Sequence, residues 1–291
     1  MKVDKAIKAT FNTNLIILNG FLVALLVGTI LLMLPVSSAS GNGTDFITAL
    51  FTATTSLCVT GLVVVPTYAY WSIFGKVIIL ILIQLGGLGI ISFTIGFLII
   101  IGKKISLKER KMIQESYNLD SAQGVLKILR KIFGITVKIE GIGAILYSIQ
   151  FIPEYGIVKG ICYSVFHSVS AFCNAGIDII GNDSLVKYHG NVLVNFTTVM
   201  LIICGGIGFI VWLDIGGIIS EIRNKKLSPN KFIERMKLHT KLVLITTAIL
   251  VGGGFLFILL FEYNNPDTLG NMTFGNKCLA ALFEAVTLRT A

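Results

Sequence analysis

The feature that most constrains this chain is a series of uncharged stretches, each long enough to cross a bilayer. Residues 15–34, 77–101, 192–213 and 242–261 contain no charged side chain. A transmembrane helix needs roughly 20 consecutive apolar residues. Residues 132–152 form a fifth candidate, with Lys138 and Glu140 near its first turns. Those two are two positions apart, so they do not share a helix face, and snorkelling to the interface accounts for them better than a buried ion pair. Composition agrees: 54% of the 291 residues are hydrophobic and 13% charged, against about a quarter charged in soluble domains. The stretch at 15–34 is longer than the roughly 7–15 apolar residues of a signal peptide core, so it reads as a span.

The formal charge of +9 does not point to nucleic acid. Lys2, Lys5 and Lys8 precede the first span. Lys103, Lys104, Lys108, Arg110, Lys111, Lys127, Arg130 and Lys131 lie between the second and third. Arg223, Lys225, Lys226, Lys231, Arg235, Lys237 and Lys241 lie between the fourth and fifth. The alternate segments hold few basic residues. This is the positive-inside pattern, with a cytoplasmic N-terminus. The five cysteines show neither metal-ligand spacing nor a disulfide framework.

A repeat runs along the chain. After the first span, Phe51 opens a hydroxyl-rich stretch that closes on Cys58-Val59-Thr60-Gly61. After the third, Phe166 opens another that closes on Cys173-Asn174-Ala175-Gly176, 115 residues on. Gln84-Leu85-Gly86-Gly87-Leu88-Gly89 is echoed 119 residues later by Ile203-Cys204-Gly205-Gly206-Ile207-Gly208. A third unit begins with the fifth span and reaches Leu288-Arg289-Thr290-Ala291. Each unit reads as span, short segment, turn, span. The short segments, 45–56, 160–172 and 276–288, are too short to cross as helices. Since the flanking spans obey the charge rule, each segment must return to its own side. A re-entrant half-helix and an extended turn achieve this, and such backbone is tolerated only inside protein or beside water. The expected domains are a first repeat at 1–101, a loop at 102–131, a second repeat at 132–220, a loop at 221–241 and an incomplete third repeat at 242–291.

A dehydrated monovalent cation needs oxygen ligands, and potassium filters supply rings of backbone carbonyls. Aligning successive carbonyls demands backbone angles that glycine reaches without a Cβ penalty. Each of the two complete turns offers one glycine among small or β-branched neighbours and no charged group. One glycine per turn predicts looser selectivity than a two-glycine filter. The Gly-Gly-x-Gly runs read as close helix packing, and Gly252-Gly253-Gly254 as a packing site or bend.

At these residues the chain resembles the Ktr/Trk/HKT superfamily of potassium transporters, most of all the bacterial Ktr-type membrane subunit. Residues 52–62, 84–90, 170–177 and 287–291 carry the likeness. The resemblance implies an all-α polytopic membrane protein with repeated span, pore-helix, filter-turn and span units around a central pore. It implies potassium uptake, with filter carbonyls from Val59, Thr60 and Gly61, from Asn174, Ala175 and Gly176, and from Thr290 and Ala291. It also implies a homodimer in the cytoplasmic membrane of a bacterium or archaeon, gated by a cytosolic nucleotide-binding regulatory subunit facing the two basic loops. Sodium is a coupling or activating ion in such systems, and no cofactor is expected. The family's third filter glycine and fourth unit are not in this sequence, so the expectation is a fragment of a longer product or a truncated, inactive one.

Among the remaining polar residues, Asp214 reads as an interfacial helix-end carboxylate, His167 as a hydrogen-bonded packing histidine, and Arg289 as an anchor of the third turn. A secondary transporter with broken helices is the nearest rival, but such proteins often use inverted repeats and these units run parallel. A membrane scaffold leaves the repeated turns without a purpose. An enzyme is not expected: no nucleophile elbow, phosphate loop or metal motif occurs, and His167, His189 and His239 are far apart in sequence.

Overall fold

The computed structural model describes residues 2–89, 114, 125–181, 183–225 and 228–290. Among them regular structure is helical, with one isolated antiparallel bridge between Ser38 and Trp71. We label the principal helices α1 (Lys2–Met33), α2 (Phe46–Cys58), α3 (Ile73–Leu88), α4 (Val125–Tyr155), α5 (Ile157–Phe172), α6 (Val192–Gly206), α7 (Phe209–Arg223), α8 (Leu238–Glu262) and α9 (Phe274–Thr290). Helices over Leu126–Tyr155 and Leu238–Glu262 are long and apolar enough to cross a membrane, with mean hydropathy 1.6 and 2.5. The chain forms two compact units, Met1–Phe133 with Ala175–Ile177, and Gly134–Asn174 with Asp178–Ala291.

In the first unit, α2 packs against α1 and α3. Pro35 ends α1, because it cannot donate to a helical bond and forces Leu34 into extended backbone. The chain then pairs with the segment before α3: Ala39 donates to the Tyr70 carbonyl at 2.8 Å and Ser72 to that of Ser37 at 2.9 Å. Asp45 caps α2 by accepting from the Thr48 amide, and Ser72 caps α3 by accepting from that of Gly75. Ala49, Ala53, Leu57, Ile79, Leu82 and Ile83 fill the interior.

In the second unit, α5 packs on α6, and α9 on α6 and α8. Gly156, at φ 82°, turns the chain from α4 into α5. A Cβ on Gly160 would come 2.7 Å from the Ile152 Cα, so its absence lets α5 fold back on α4. Asn191 caps α6. Tyr147, Phe151, Phe166, Val194 and Val286 are buried.

Several expected bounds change. Within the second span the helix that starts at Ile73 reaches Leu88 and Gly89 caps it at φ 78°; residues 90–101 lie outside those described. The stretch 192–213 is not one straight span: α6 and α7 meet at a 95° bend. Gly208, at φ 84°, starts α7 there, a conformation glycine adopts freely. The loop expected at 102–131 lies mostly outside the described residues, yet 125–131 are the first turns of α4. Leu129 and Ile132 are buried there while Lys127, Arg130 and Lys131 are exposed, so an amphipathic stripe carries the helix past the apolar stretch. The second loop is shorter than expected, because α7 continues to Arg223 and α8 begins at Leu238. The short segments are α2, α5 and α9; α2 is shifted by one or two residues, and α5 and α9 are a few residues longer than expected.

Candidate ion-selectivity site

The first turn starts where α2 stops. Val59 adopts left-handed backbone, φ 57° and ψ 44°, and Gly61 has φ 77°, while Thr60 between them has negative φ. A β-branched residue in that region is a genuine outlier, and such strain costs of order 1–3 kcal/mol. Neighbours hold it. The amides of Val59 and Thr60 both return to the Thr55 carbonyl, the latter at 3.0 Å. The Thr55 and Thr60 hydroxyls bond each other at 2.6 Å. A Cβ on Gly86 would lie 2.9 Å from Val59 Cγ2, so Gly86 also makes room for the strained residue.

The second turn repeats this backbone position for position. Asn174 has φ 59°, Gly176 has φ 66°, and Ala175 between them has negative φ. The amides of Cys173 and Asn174 return to the carbonyls of Val169 and Ala171 at 2.9 and 3.1 Å. Alternating signs of φ turn successive peptide planes in opposite senses, which lets neighbouring carbonyls face one side as a dehydrated cation requires. The glycines meet. A Cβ on Gly61 would lie 2.8 Å from the Ala175 carbonyl oxygen, and one on Gly176 3.6 Å from the Gly61 Cα. The structure thus brings together Gly61, Ala175 and Gly176.

The third segment differs. Thr290, expected to open a third turn, is the last residue of α9, and its hydroxyl bonds the Thr287 carbonyl at 3.3 Å. Ala291 lies outside the described residues. Arg289 donates from Nη2 to Thr247 Oγ1 at 2.9 Å and to the Gly206 carbonyl at 3.4 Å.

The Gly-Gly-x-Gly runs divide their labour. A Cβ on Gly86 would collide with the Leu57 carbonyl oxygen, and one on Gly205 with that of Phe172. The first glycine of each run therefore admits the end of α2 against α3 and of α5 against α6, as the packing reading expects. The last takes positive φ at a helix boundary, Gly89 capping the end of α3 and Gly208 the start of α7. Sequence reasoning missed this second role, although the repeated spacing carried the signal.

His167 is buried, its Nδ1 donating to the Tyr163 carbonyl at 2.7 Å and its ring against Phe151 and Phe166. Asp214 is not the helix-end carboxylate the sequence suggested, because α7 continues past it to Arg223. It accepts from the Lys237 amide at 3.0 Å and the Thr240 hydroxyl at 2.6 Å, capping α8 from α7.

Comparison with known proteins is consistent across the chain. The TrkH cation transport protein family matches residues 2–291. The potassium/sodium uptake protein NtpJ of Enterococcus hirae is 42% identical over 289 residues, covering 99% of this chain and 61% of that protein. The Ktr system potassium uptake protein B of Bacillus subtilis is 39% identical, covering 100% of this chain and 62% of that protein. Its namesake from Vibrio alginolyticus is 37% identical, covering 95% and 58%. The chain thus spans about six-tenths of the length of these relatives.

Proposed function

This chain belongs to the TrkH family of cation transport proteins, and we propose that it is the pore-forming part of a Ktr/Trk-type system that takes up potassium. Its relatives are named for potassium or potassium/sodium uptake. The observation that carries the reading is the close approach of two turns with the same alternating backbone, Gly61 against Ala175 and Gly176. Carbonyls of Val59, Thr60, Gly61, Asn174, Ala175 and Gly176 replace the ion's water, and Thr290 and Ala291 contribute from the third segment. Potassium is the cargo, with sodium as a coupling or activating ion.

The protein works in the cytoplasmic membrane of a bacterium or archaeon with its N-terminus inside. The basic residues flanking the spans support that orientation. It assembles as a homodimer with a cytosolic nucleotide-binding subunit docked on the basic loops. The test is growth of an uptake-deficient host at low potassium, with the whole gene product expressed beside its nucleotide-binding partner. Rescue that is lost in the Gly61→Ala variant is expected. A membrane-inserted protein that gives no rescue overturns the proposal.

A further inference from the structure

The break between α6 and α7 is held by side chains of α7, α8 and α9. Trp212 donates Nε1–H to the Cys204 carbonyl at 2.8 Å. Arg289 bonds both the Gly206 carbonyl and Thr247 Oγ1 on α8, and Thr247 is buried. The Ile207 amide returns to the Ile203 carbonyl at 3.1 Å and that of Gly208 to Gly205 at 3.4 Å. The carbonyls of Ile203, Cys204, Gly205 and Gly206 are thus taken up one by one. The guanidinium also meets the partial negative charge of the α6 C-terminus. Among the described residues Arg289 makes no ion pair.

Two buried polar atoms beside this break have no hydrogen-bond partner among the described residues: Arg289 Nη1, a donor, and Asn174 Oδ1, an acceptor. Both side chains converge on Gly206. A Cβ there would lie 2.7 Å from Arg289 Nη1 and 3.5 Å from Asn174 Nδ2. A half-turn of the Asn174 carboxamide exchanges its nitrogen for its oxygen at that point. Asn174 is also the residue that holds the second turn left-handed.

We infer that Arg289 is a positioning residue of the filter. It pins the helix break to α8 and, through Asn174, fixes the second turn. The inference rests on reading the turns as a filter, and its ligand role is nil: Arg289 acts through Asn174 and Gly206 rather than on the ion. A bland anchor of α9 alone would leave ion discrimination untouched.

The test uses the whole gene product. Arg289→Gln, Thr247→Val and Gly206→Ala each disturb the clamp from a different residue, the last by placing a methyl against Nη1. Each is expected to lower the potassium-to-sodium transport ratio about fivefold, the worth of one hydrogen bond. Thr247→Ser, which keeps the hydroxyl, restores it. Hydrogen exchange of the Ile207 and Gly208 amides is measured alongside and quickens in the same variants. An unchanged ratio in folded Thr247→Val and Gly206→Ala overturns the inference even if Arg289→Gln fails to fold. If the unmodified protein carries no potassium, the filter reading fails, while unchanged amide exchange in the variants would still remove the clamp.

Discussion

The carbonyl oxygen of Ala175 lies 2.8 Å from where a Cβ on Gly61 would begin. Gly61 therefore answers to two constraints, its own φ of 77° and a backbone atom with no flexible end to yield. Gly176 answers to the first alone, since its nearest neighbour is the Gly61 Cα at 3.6 Å. A left-handed non-glycine residue costs roughly 1–2 kcal/mol. Gly176→Ala should thus slow potassium uptake about tenfold. Gly61→Ala should abolish it in protein that still reaches the membrane. Uptake measured at matched membrane abundance checks the ranking, and equal defects would mean that the close approach is not what constrains Gly61.

The hydroxyl pair Thr55–Thr60, at 2.6 Å, ties the first turn to α2. Ala175 stands at the matching place in the second turn and has no hydroxyl to offer. Thr60→Val keeps the β-branch and removes the bond, for a loss of about 1 kcal/mol. The companion change Thr55→Val should add little once Thr60 is already valine, because the two share one interaction. Thermal unfolding of the two single variants and the double variant measures the coupling. Full additivity would show that the pair contributes nothing.

The apolar helices over 132–152 and 242–261 and the turns at Gly61 and Gly176 were legible because each depends on local chemistry. Uncharged length marks a helix that crosses, and a glycine after a hydroxyl-rich stretch marks a turn. The helix break at Gly206–Gly208 was not legible, because residues 192–213 are apolar on both sides of it. What makes the break is φ at Gly208 and donors brought in from Trp212 and from Arg289, 83 positions away from Gly206. Hydropathy carries no information about such long-range bonds. Val59 hides for a related reason: its propensity argues for extended backbone, and tertiary contacts with Thr55 and Gly86 override it. The capping role of Asp214 likewise needs the packing of α7 on α8 before it can be seen.

The Asp45 carboxylate sits at the start of α2 and is held below its ordinary range by the Thr48 backbone N–H, with the Thr48 side chain adding to it. A depressed value means the charged form is favoured in the folded state. Its contribution is therefore complete above the ordinary value of 3.8 and fades as pH falls through the lower folded value. Asp45→Asn retains a good cap but no longer titrates. Acid unfolding followed from pH 6 to 2 should show the variant losing less stability than the parent. Parallel curves would remove the cap from the acid response.

Glycine-to-alanine changes along the inner helices should split into opposite classes. At Gly86 and Gly205 the new methyl would overlap the carbonyl oxygens of Leu57 and Phe172, each four residues before its turn glycine. Relief requires α2 or α5 to move as a body. Overpacking of this kind costs about 1–3 kcal/mol or more, and it displaces the turns. At Gly216 and Gly252 the helix is regular and no atom outside it lies within 4 Å. There alanine only restricts the unfolded chain, for a gain of about 0.4–1 kcal/mol. Thermal melts in one detergent should place Gly252→Ala about 1–3 °C above the parent and Gly205→Ala well below it. Potassium uptake should survive in the first and vanish in the second. If Gly205→Ala melts with the parent and still transports, α5 and α6 are not packed as closely as the Phe172 carbonyl requires.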